Sequence, residues 1–237
     1  MRTSLIWLGL LAACDHPDAA STAPRPQLSN LAAQIEAANQ RMHARFGAAR
    51  QLEYAIARSD LVGARANAHL IAQLDEPDLM KAWQPYMIDV RSAARQIEIA
   101  GDTTLAATRT GVLGQRCAEC HEVTKATVDL ADDPRPVDDV EHSRMAGHQW
   151  AALRMWEGLI APSQQRWDEG ALALTTVPLN LVAQAVTPSF QGDLDDVARI
   201  RMLARAAPAA TTDAARGELF GSLLGSCAHC HAILRDR

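Results

Sequence analysis

Two pentapeptides with the same spacing of cysteine and histidine are the residues of this sequence best suited to chemistry. They are Cys117-Ala118-Glu119-Cys120-His121 and Cys227-Ala228-His229-Cys230-His231. The pattern C-x-x-C-H is the attachment motif of c-type haem. Positions i and i+3 of a helix share one face, so both thiols can reach the two vinyl groups on one edge of a porphyrin. The histidine that follows then lies under the iron and supplies its proximal nitrogen.

The two motifs therefore predict two covalently bound c-type haems. The thioether bonds would form at Cys117, Cys120, Cys227 and Cys230, and the proximal iron ligands would be His121 and His231. Three other uses of paired cysteines compete with this prediction. A zinc site with four cysteine ligands usually has its two pairs much closer in sequence, and it leaves the repeated histidine unexplained. A thioredoxin-like redox pair needs a βαβ setting that neither motif has, and structural disulfides within C-x-x-C are uncommon.

The fifth cysteine, Cys14, follows a short apolar segment at the N-terminus. Residues 1–13 contain one arginine, an apolar stretch too short to span a bilayer and then small residues, which is the composition of a secretory signal peptide. Its end, Leu11-Ala12-Ala13-Cys14, resembles the lipobox of bacterial lipoproteins. This resemblance implies cleavage before Cys14 and acylation of its thiol. An ordinary signal peptide followed by a chance cysteine is the alternative.

Residues 14–27 are rich in proline, alanine and polar side chains and have no hydrophobic period, which predicts a flexible tether. Several acyl chains on one residue would anchor a protein stably, whereas a single chain binds only marginally. We therefore expect the folded part at the periplasmic face of a membrane in the bacterial cell envelope, lipid-anchored through Cys14. The choice between inner and outer membrane stays open.

Composition excludes several classes of protein. The chain has 237 residues and a formal net charge of -5 without a basic cluster, which argues against a nucleic-acid partner because phosphate binding needs a positive face. Alanine occurs 45 times, while aromatic residues make up only 4% of the chain. Since alanine is the best helix former and strand-forming residues are scarce, we expect an all-α fold.

The sequence also repeats itself. Residues 110–121 parallel residues 220–231 at an offset of 110, and residues 41–56 parallel residues 144–159 at an offset of 103. Between the two copies, residues 126–138 are acidic, contain two prolines and have no helical period, which predicts a linker. The predicted haem domains on either side are residues 28–125 and residues 139–237.

Hydrophobic periodicity predicts about four helices in each half, and hence two tandem four-helix bundles. The stripes at helical spacing are Leu31, Ile35, Ala38, Met42, Ala49, Leu52 and Ile56 in the first half, and Met145, His148, Ala152, Met155 and Leu159 in the second. Ser163 and Asp193 have the residue type of helix N-caps. Pro85 is expected to kink or split a third helix.

The placement of the motifs resembles that of the class II cytochromes c, the family of cytochrome c prime and its low-spin relatives. Only six residues follow His231, so any sixth ligand of the second iron must come from upstream. In this family a four-helix bundle carries C-x-x-C-H on its last helix. The resemblance implies that the sixth ligand, where present, is a methionine of the first helix. The tandem arrangement and the lipobox depart from the family's usual single soluble domain, so the oligomeric state stays open.

Met42 and Met145 are the candidate sixth ligands, because they align between the repeats and lie on the predicted core stripes. His43 and His148 are the alternatives. His148 shares the stripe of Met145, whereas His43 points about 100° away from Met42. Both methionines could instead be core packing, which would leave the irons open. The choice matters, because His/Met coordination raises the reduction potential and bis-His coordination lowers it.

Taken together, the motifs predict a membrane-anchored carrier of single electrons that exchanges them with redox partner proteins and is not an enzyme. Binding or sensing of NO or CO at an open iron is the alternative. A dihaem peroxidase is disfavoured, because those enzymes are longer and the sequence shows no extra acid–base constellation. The tryptophans Trp150, Trp156 and Trp167 are expected to pack in the core or against a haem edge.

Overall fold

The described part of the chain is built from α-helices. A computed structural model describes residues 26–74, 81–136, 141–176 and 188–235. The helices are α1 (Pro26–Ala57), α2 (Leu61–Gln73), α3 (Gln84–Glu98), α4 (Thr103–Thr124), α5 (Glu141–Ile160), α6 (Gln164–Thr176), α7 (Pro188–Ala206) and α8 (Asp213–Arg235). Two short 3₁₀-helices, Lys81–Trp83 and Ala207–Ala209, lie before α3 and after α7. The prediction of an all-α chain is confirmed.

Side-chain caps fix where several helices begin. The carboxylate of Asp102 accepts a hydrogen bond from the backbone N–H of Leu105 at 2.7 Å and starts α4. Such caps satisfy amide groups that have no partner inside the helix. The expected N-cap at Ser163 is confirmed, since its hydroxyl accepts from the backbone N–H of Arg166 at 3.4 Å in the first turn of α6.

Two of the boundary predictions are wrong. Pro85 does not kink a helix, because α3 begins at Gln84 and Pro85 therefore lies in its first turn. A proline is tolerated there, since its missing N–H would have no partner inside the helix anyway. Asp193 is not an N-cap, because α7 already begins at Pro188 and runs through Asp193. The fixed φ of a proline at the start of α7 suits a first helical turn and places the boundary earlier than the aspartate.

The helices of each half pack on their neighbours in sequence, and the two halves meet through their last helices. α1 to α4 contact one another in order, as do α5 to α8, but the most extensive contact joins α4 to α8. One buried apolar cluster runs from Leu52 and Ile97 in the first half to Trp156, Trp167 and Leu223 in the second. Because this core is continuous, the division into two separate four-helix-bundle domains stays a prediction.

Small residues let α4 and α8 approach closely where they cross. A Cβ atom at Gly111 would overlap the carbonyl oxygen of Gly217 and lie 3.1 Å from the backbone nitrogen of Gly221. A Cβ atom at Gly221 would lie 3.1 Å from the carbonyl oxygen of Ala107. Partner numbers fall along α4 as they rise along α8, so the two helices are antiparallel. Gly111 and Gly221 are equivalent in the repeat, and the contact is approximately two-fold symmetric.

The predicted apolar stripes are buried only in their later turns. In α1, Leu52 and Ile56 are fully buried, whereas Ile35 is 51% exposed. In α5, Leu159 is fully buried, whereas Met145 is 46% exposed. The hydrophobic periodicity predicted that the early turns of both helices are buried as well, but these turns lie outside the core.

The membrane-related predictions concern the N-terminus. The expected signal peptide, Cys14 and the tether up to residue 25 lie outside the described residues. Among the helices of the described ranges, none is both long enough and apolar enough to cross a membrane.

Candidate functional site

A cavity of about 160 Å³ adjoins the first C-x-x-C-H motif. Cys117, Cys120 and His121 lie in the last turns of α4 and form one wall. The other walls come from the middle of α1, from α3, from the segment after α4 and from Ile160 at the end of α5. The cavity is thus lined mostly by apolar side chains and is built from both halves of the chain.

The imidazole of His121 is held by a hydrogen bond from the other half. Its Nδ1 lies 2.6 Å from the carbonyl oxygen of Ile160. Because a carbonyl oxygen can only accept, Nδ1 carries the proton and Nε2 keeps its lone pair. Ile160 is the last residue of α5, where helix carbonyls have no partner inside the helix. Histidines that bind metals almost always have their second ring nitrogen held in this way.

Burial keeps the chemical groups of the first motif neutral. It lowers the pKa of His121, although the hydrogen bond to Ile160 opposes this effect. It raises the pKa of the Cys117 thiol to about 12, against the opposing charge of Arg45. A neutral imidazole is the form that binds a metal. The reactive thiols of disulfide exchange need a lowered pKa, so the Cys117 thiol does not suit that chemistry.

Met42 and His43 of α1 line the same cavity. Met42 is half-buried, and its sulfur accepts a hydrogen bond from Nη1 of Arg45 at 3.7 Å. Arg45 is buried and also donates to the carbonyl oxygen of Leu74 at 3.1 Å. The structure therefore brings both candidate sixth ligands of the first half to the cavity of the motif. Which of them would bind the iron stays a prediction.

The segment predicted as a linker forms another wall of this cavity. Residues 126–130 line it directly. Arg166 of α6 donates to the carbonyl oxygen of Leu130 at 2.9 Å, and Arg154 of α5 donates to the carboxylate of Asp132 at 3.0 Å. These contacts hold a non-helical segment against the second half and close the site.

The second motif lies in α8, and burial affects it in the same way. Burial, together with the nearby carboxyl group of Glu53 in α1, raises the pKa of the Cys227 thiol to about 12. Burial also lowers the pKa of His231, and the positive charge of Arg58 adds to this effect. Glu53 and Arg58 belong to the first half. The second motif is therefore also surrounded by residues of the opposite half.

The ends of α1 and α5 occupy corresponding places at the two motifs. At the first motif, the end of α5 supplies the carbonyl group of Ile160 to His121. At the second, Arg235 of α8 donates to the carbonyl oxygen of Ser59, two residues after the end of α1, at 3.3 Å. Each motif-bearing helix thus contacts either the last residue of the first helix of the other half or the segment just after it.

The position between the two cysteines differs between the motifs. In the second motif, Nδ1 of His229 lies 2.5 Å from Oδ2 of Asp196 in α7. The side chain of His229 is 61% exposed, whereas that of Asp196 is only 12% exposed. In the first motif, Glu119 pairs instead with Arg116 at 2.6 Å.

The candidate sixth ligands of the second half, Met145 and His148, lie in the early turns of α5. Met145 is 46% exposed and His148 is half-buried. Their relation to the iron that His231 would bind stays a prediction. Met42 differs from Met145 in this respect, because it lies in the middle of α1 and lines a described cavity.

Sequence reasoning missed three parts of the first site: Ile160, Arg45 and residues 126–130. Ile160 acts through its backbone carbonyl group, which no side-chain pattern reveals. Arg45 lies one helical turn after Met42, so the helical stripe contained the signal that would have placed it in the site. The wall formed by residues 126–130 depends on contacts with distant arginines, which spacing alone does not encode.

The donors of the first motif suit a group bound covalently through two thiols and through one imidazole nitrogen. Cys117, Cys120, Cys227 and Cys230 are all in the thiol form. In the described ranges, no three or more His, Cys, Asp or Glu side chains are grouped to bind a bare metal ion. Comparison of the chain with protein-family models, curated proteins and solved structures finds no match.

Proposed function

We propose that the chain is a dihaem c-type cytochrome that carries single electrons at the periplasmic face of a bacterial membrane. The observation that carries this proposal is the hydrogen bond between His121 Nδ1 and the carbonyl oxygen of Ile160. It leaves Nε2 as a donor beside a cavity that also contains Cys117 and Cys120. Cys227, Cys230 and His231 would hold the second haem.

Each haem, when bound, would supply an iron that gains and loses one electron. The residues of the chain hold and tune this group. The thiols fix one edge of it, and the carbonyl group of Ile160 fixes the tautomer and orientation of His121. Residues 126–130 and the middle of α1 would form the walls around the group. Axial ligand identity and burial then set the reduction potential, and no substrate turnover is proposed.

The positions of the cysteines disfavour a shared zinc site. The two C-x-x-C pairs run away from the α4–α8 crossing in opposite directions, because the two helices are antiparallel. A zinc ion needs its four sulfur ligands within about 2.3 Å, which one ion cannot achieve with pairs at opposite ends. The pKa values of about 12 at Cys117 and Cys227 likewise disfavour a redox dithiol.

The finer architecture belongs to the same proposal. Helices α1 to α4 would form the first four-helix bundle, and α5 to α8 the second, with a haem at the last helix of each. Cys14 would carry the lipid that anchors the protein, and residues 14–27 would be the tether. The partners would be redox proteins that dock near each haem.

Haem content tests the proposal directly. The full chain is exported in a bacterial host that attaches c-type haem, and its intact mass and the absorption spectrum of the denatured chain are measured. We expect two covalently bound haems. The Cys117→Ser/Cys120→Ser double variant should keep one, and the Cys14→Ser variant should keep both while leaving the membrane fraction. A chain without any covalently bound chromophore would overturn the proposal.

One observation favours a second function at the second site. Met145 is 46% exposed, which is unusual for a side chain that should close an iron inside a core. If that iron has an open position, it would bind CO or NO. Adding CO to the reduced protein tests this, because the spectrum of one of the two haems would shift. A spectrum that does not change would favour the carrier without gas binding.

A further inference from the structure

Two buried aromatic rings lie at the junction between the halves. Trp156 of α5 and Phe220 of α8 are stacked, with ring centroids 5.3 Å apart and an angle of 26° between the ring planes. Both side chains are fully buried. They connect the first helix of the second half to the helix that carries the second motif.

The two motifs themselves are far apart along the α4–α8 pair. Gly111 and Gly221 contact each other at the crossing, and each lies ten residues before the histidine of its motif. The helices are antiparallel and rise about 1.5 Å per residue, so His121 and His231 lie about 30 Å apart along the pair. Tunnelling rates fall exponentially with distance. The groups that lie between the two motifs therefore strongly affect the rate of electron exchange.

The stacked rings lie inside this span. On the first side, a Cβ atom at Gly114 would lie 2.7 Å from Cζ3 of Trp156, and Gly114 is one helical turn before Cys117. On the second side, Phe220 is seven residues before Cys227, so both lie on one face of α8, two turns apart. Two conjugated rings therefore lie in the middle of the span between the two motifs.

Packing alone does not account for an indole at position 156. Nε1 of Trp156 is buried without a hydrogen-bond partner among the described residues. The equally buried Trp167 does have one, since its Nε1 donates to the carbonyl oxygen of Ala207 at 2.9 Å. Buried tryptophans usually find such a partner, and an unsatisfied N–H costs free energy. An apolar side chain would fill the space at Trp156 without this cost.

We propose that the stacked rings of Trp156 and Phe220 are the electron path between the two haem sites, an inference that rests on the proposed function. One electron is lost at the reduced site and gained at the oxidised site. No bond forms or breaks, and no proton moves. Neither ring is itself oxidised, because the rings act only as a bridge that lowers the tunnelling barrier. Electrons that enter at one end of the molecule can then leave at the other.

The test uses the full chain with both haems. Pulsed electron paramagnetic resonance on the fully oxidised protein measures the distance between the two irons, which we expect to be about 30 Å. Flash reduction with less than one electron per molecule then gives the rate at which the electron redistributes between the sites. Trp156→Leu and Phe220→Leu should each slow this rate by roughly an order of magnitude, because a saturated side chain replaces a conjugated ring.

Trp167→Leu is the matched control, since it makes the same substitution at a buried tryptophan away from the path. Its exchange rate should match that of the unchanged protein. Equal rates in all variants, or irons at half the expected distance, would overturn the proposal. If a leucine variant does not fold, Phe220→Met fills the same space with a flexible apolar side chain and should slow the exchange in the same way. A chain that lacks two covalent haems would instead overturn the proposed function.

Discussion

The two halves of the chain carry the same motif at the same place but surround it with different side chains. At the repeat offset of 103, Arg45 beside the first cavity corresponds to His148. At the same offset, the buried carboxyl group of Glu53 corresponds to the indole of Trp156. The halves thus share the cysteines and the final histidine of the motif and the glycine at the crossing. They differ in the charged and aromatic groups that would tune each haem.

This difference indicates two sites of unequal character. The first has a buried arginine and a methionine sulfur that contact each other beside the cavity. The second has a more exposed methionine and a motif histidine, His229, that pairs with Asp196. We therefore expect the two haems to have different sixth ligands and different reduction potentials. Substitutions at corresponding positions of the two halves test this difference.

Replacing the two candidate methionines should have the largest effect. Met42→Ala should convert one of the two haems from low spin to high spin, because Met42 lies in the cavity of the first motif. Met145→Ala should leave the spectrum unchanged, because Met145 is 46% exposed. Absorption and magnetic circular dichroism spectra of the oxidised variants measure the result. Equal loss of low-spin bands in both variants would show that the two sites are alike.

Alanine substitutions at the crossing of α4 and α8 should have the next largest effect. Gly111→Ala forces a Cβ atom onto the carbonyl oxygen of Gly217 and should cost about 1–3 kcal/mol of unfolding free energy. Gly221→Ala, its repeat equivalent, should cost less, since its closest contact would be 3.1 Å. Urea denaturation measures both.

Gly47→Ala is the control for these variants. No atom lies within 4 Å of a Cβ at this exposed helical position, so the substitution should stabilise the protein by about 0.5–1 kcal/mol. If Gly111→Ala and Gly221→Ala lower the free energy of unfolding equally, the crossing is more symmetric than these contact distances indicate.

Glu53 should make stability depend on pH. Burial raises its pKa from 4.5 to about 8, against the opposing charge of Arg50. The folded state holds this proton more tightly than the unfolded state. The contribution to stability is therefore fully present below pH 4.5 and is lost as the pH rises through about 8. Glu53→Gln should flatten this decline, as measured by urea denaturation across the window.

The control for Glu53 is Glu36→Gln, at an exposed position of the same helix. It should leave the pH profile unchanged. The counterpart of Glu53 in the second half is Trp156, which does not titrate, but burial also raises the pKa of Glu157 in α5 to about 7, so Glu53→Gln should remove only the part of the decline that Glu53 causes. A profile that Glu53→Gln leaves intact would contradict this assignment.

The smallest effect is expected at the variable position of the motifs. Asp196→Asn replaces the carboxylate by an amide of the same shape whose oxygen can still accept from His229. The side chain of Asp196 is 12% exposed and that of His229 is 61% exposed, so the pair is partly solvated and stability should change by less than about 1 kcal/mol. Glu119→Gln, which removes the partner of Arg116 in the first motif, should have an equally small effect. Thermal unfolding at low and high salt measures both. A loss above about 3 kcal/mol for Asp196→Asn would identify a buried ion pair.

The sequence predicts those parts of the fold that local patterns encode. Abundant alanine predicted helices, and the structure is helical with each motif in the last helix of its half. The N-cap at Ser163 was predictable because capping depends on a few neighbouring residues. The packing of α4 on α8 was not, because residues some hundred positions apart meet there through glycines that have no side chain to form a pattern.

The candidate site likewise has parts that local sequence patterns predict and parts that only tertiary packing determines. Covalent attachment needs a fixed residue spacing, so the sequence alone indicates Cys117, Cys120 and His121. The hydrogen bond that orients His121 comes from a backbone carbonyl of the other half, and residues 126–130 form a wall through contacts with distant arginines. Such groups are chosen by tertiary structure rather than by residue type. Spacing therefore indicates which residues would bind the proposed cofactor, and the fold determines which groups surround them.

The two-fold contact between Gly111 and Gly221 is the geometry of a homodimer, realised here within one chain. Joining two copies makes their association intramolecular, so the linker replaces the need for a high protein concentration. In a dimer of identical chains, any change of sequence alters both sites at once. In the joined chain, one copy can gain an arginine or a tryptophan while the other does not. Duplication within one chain thus allows the surroundings of the two motifs to diverge on a shared scaffold.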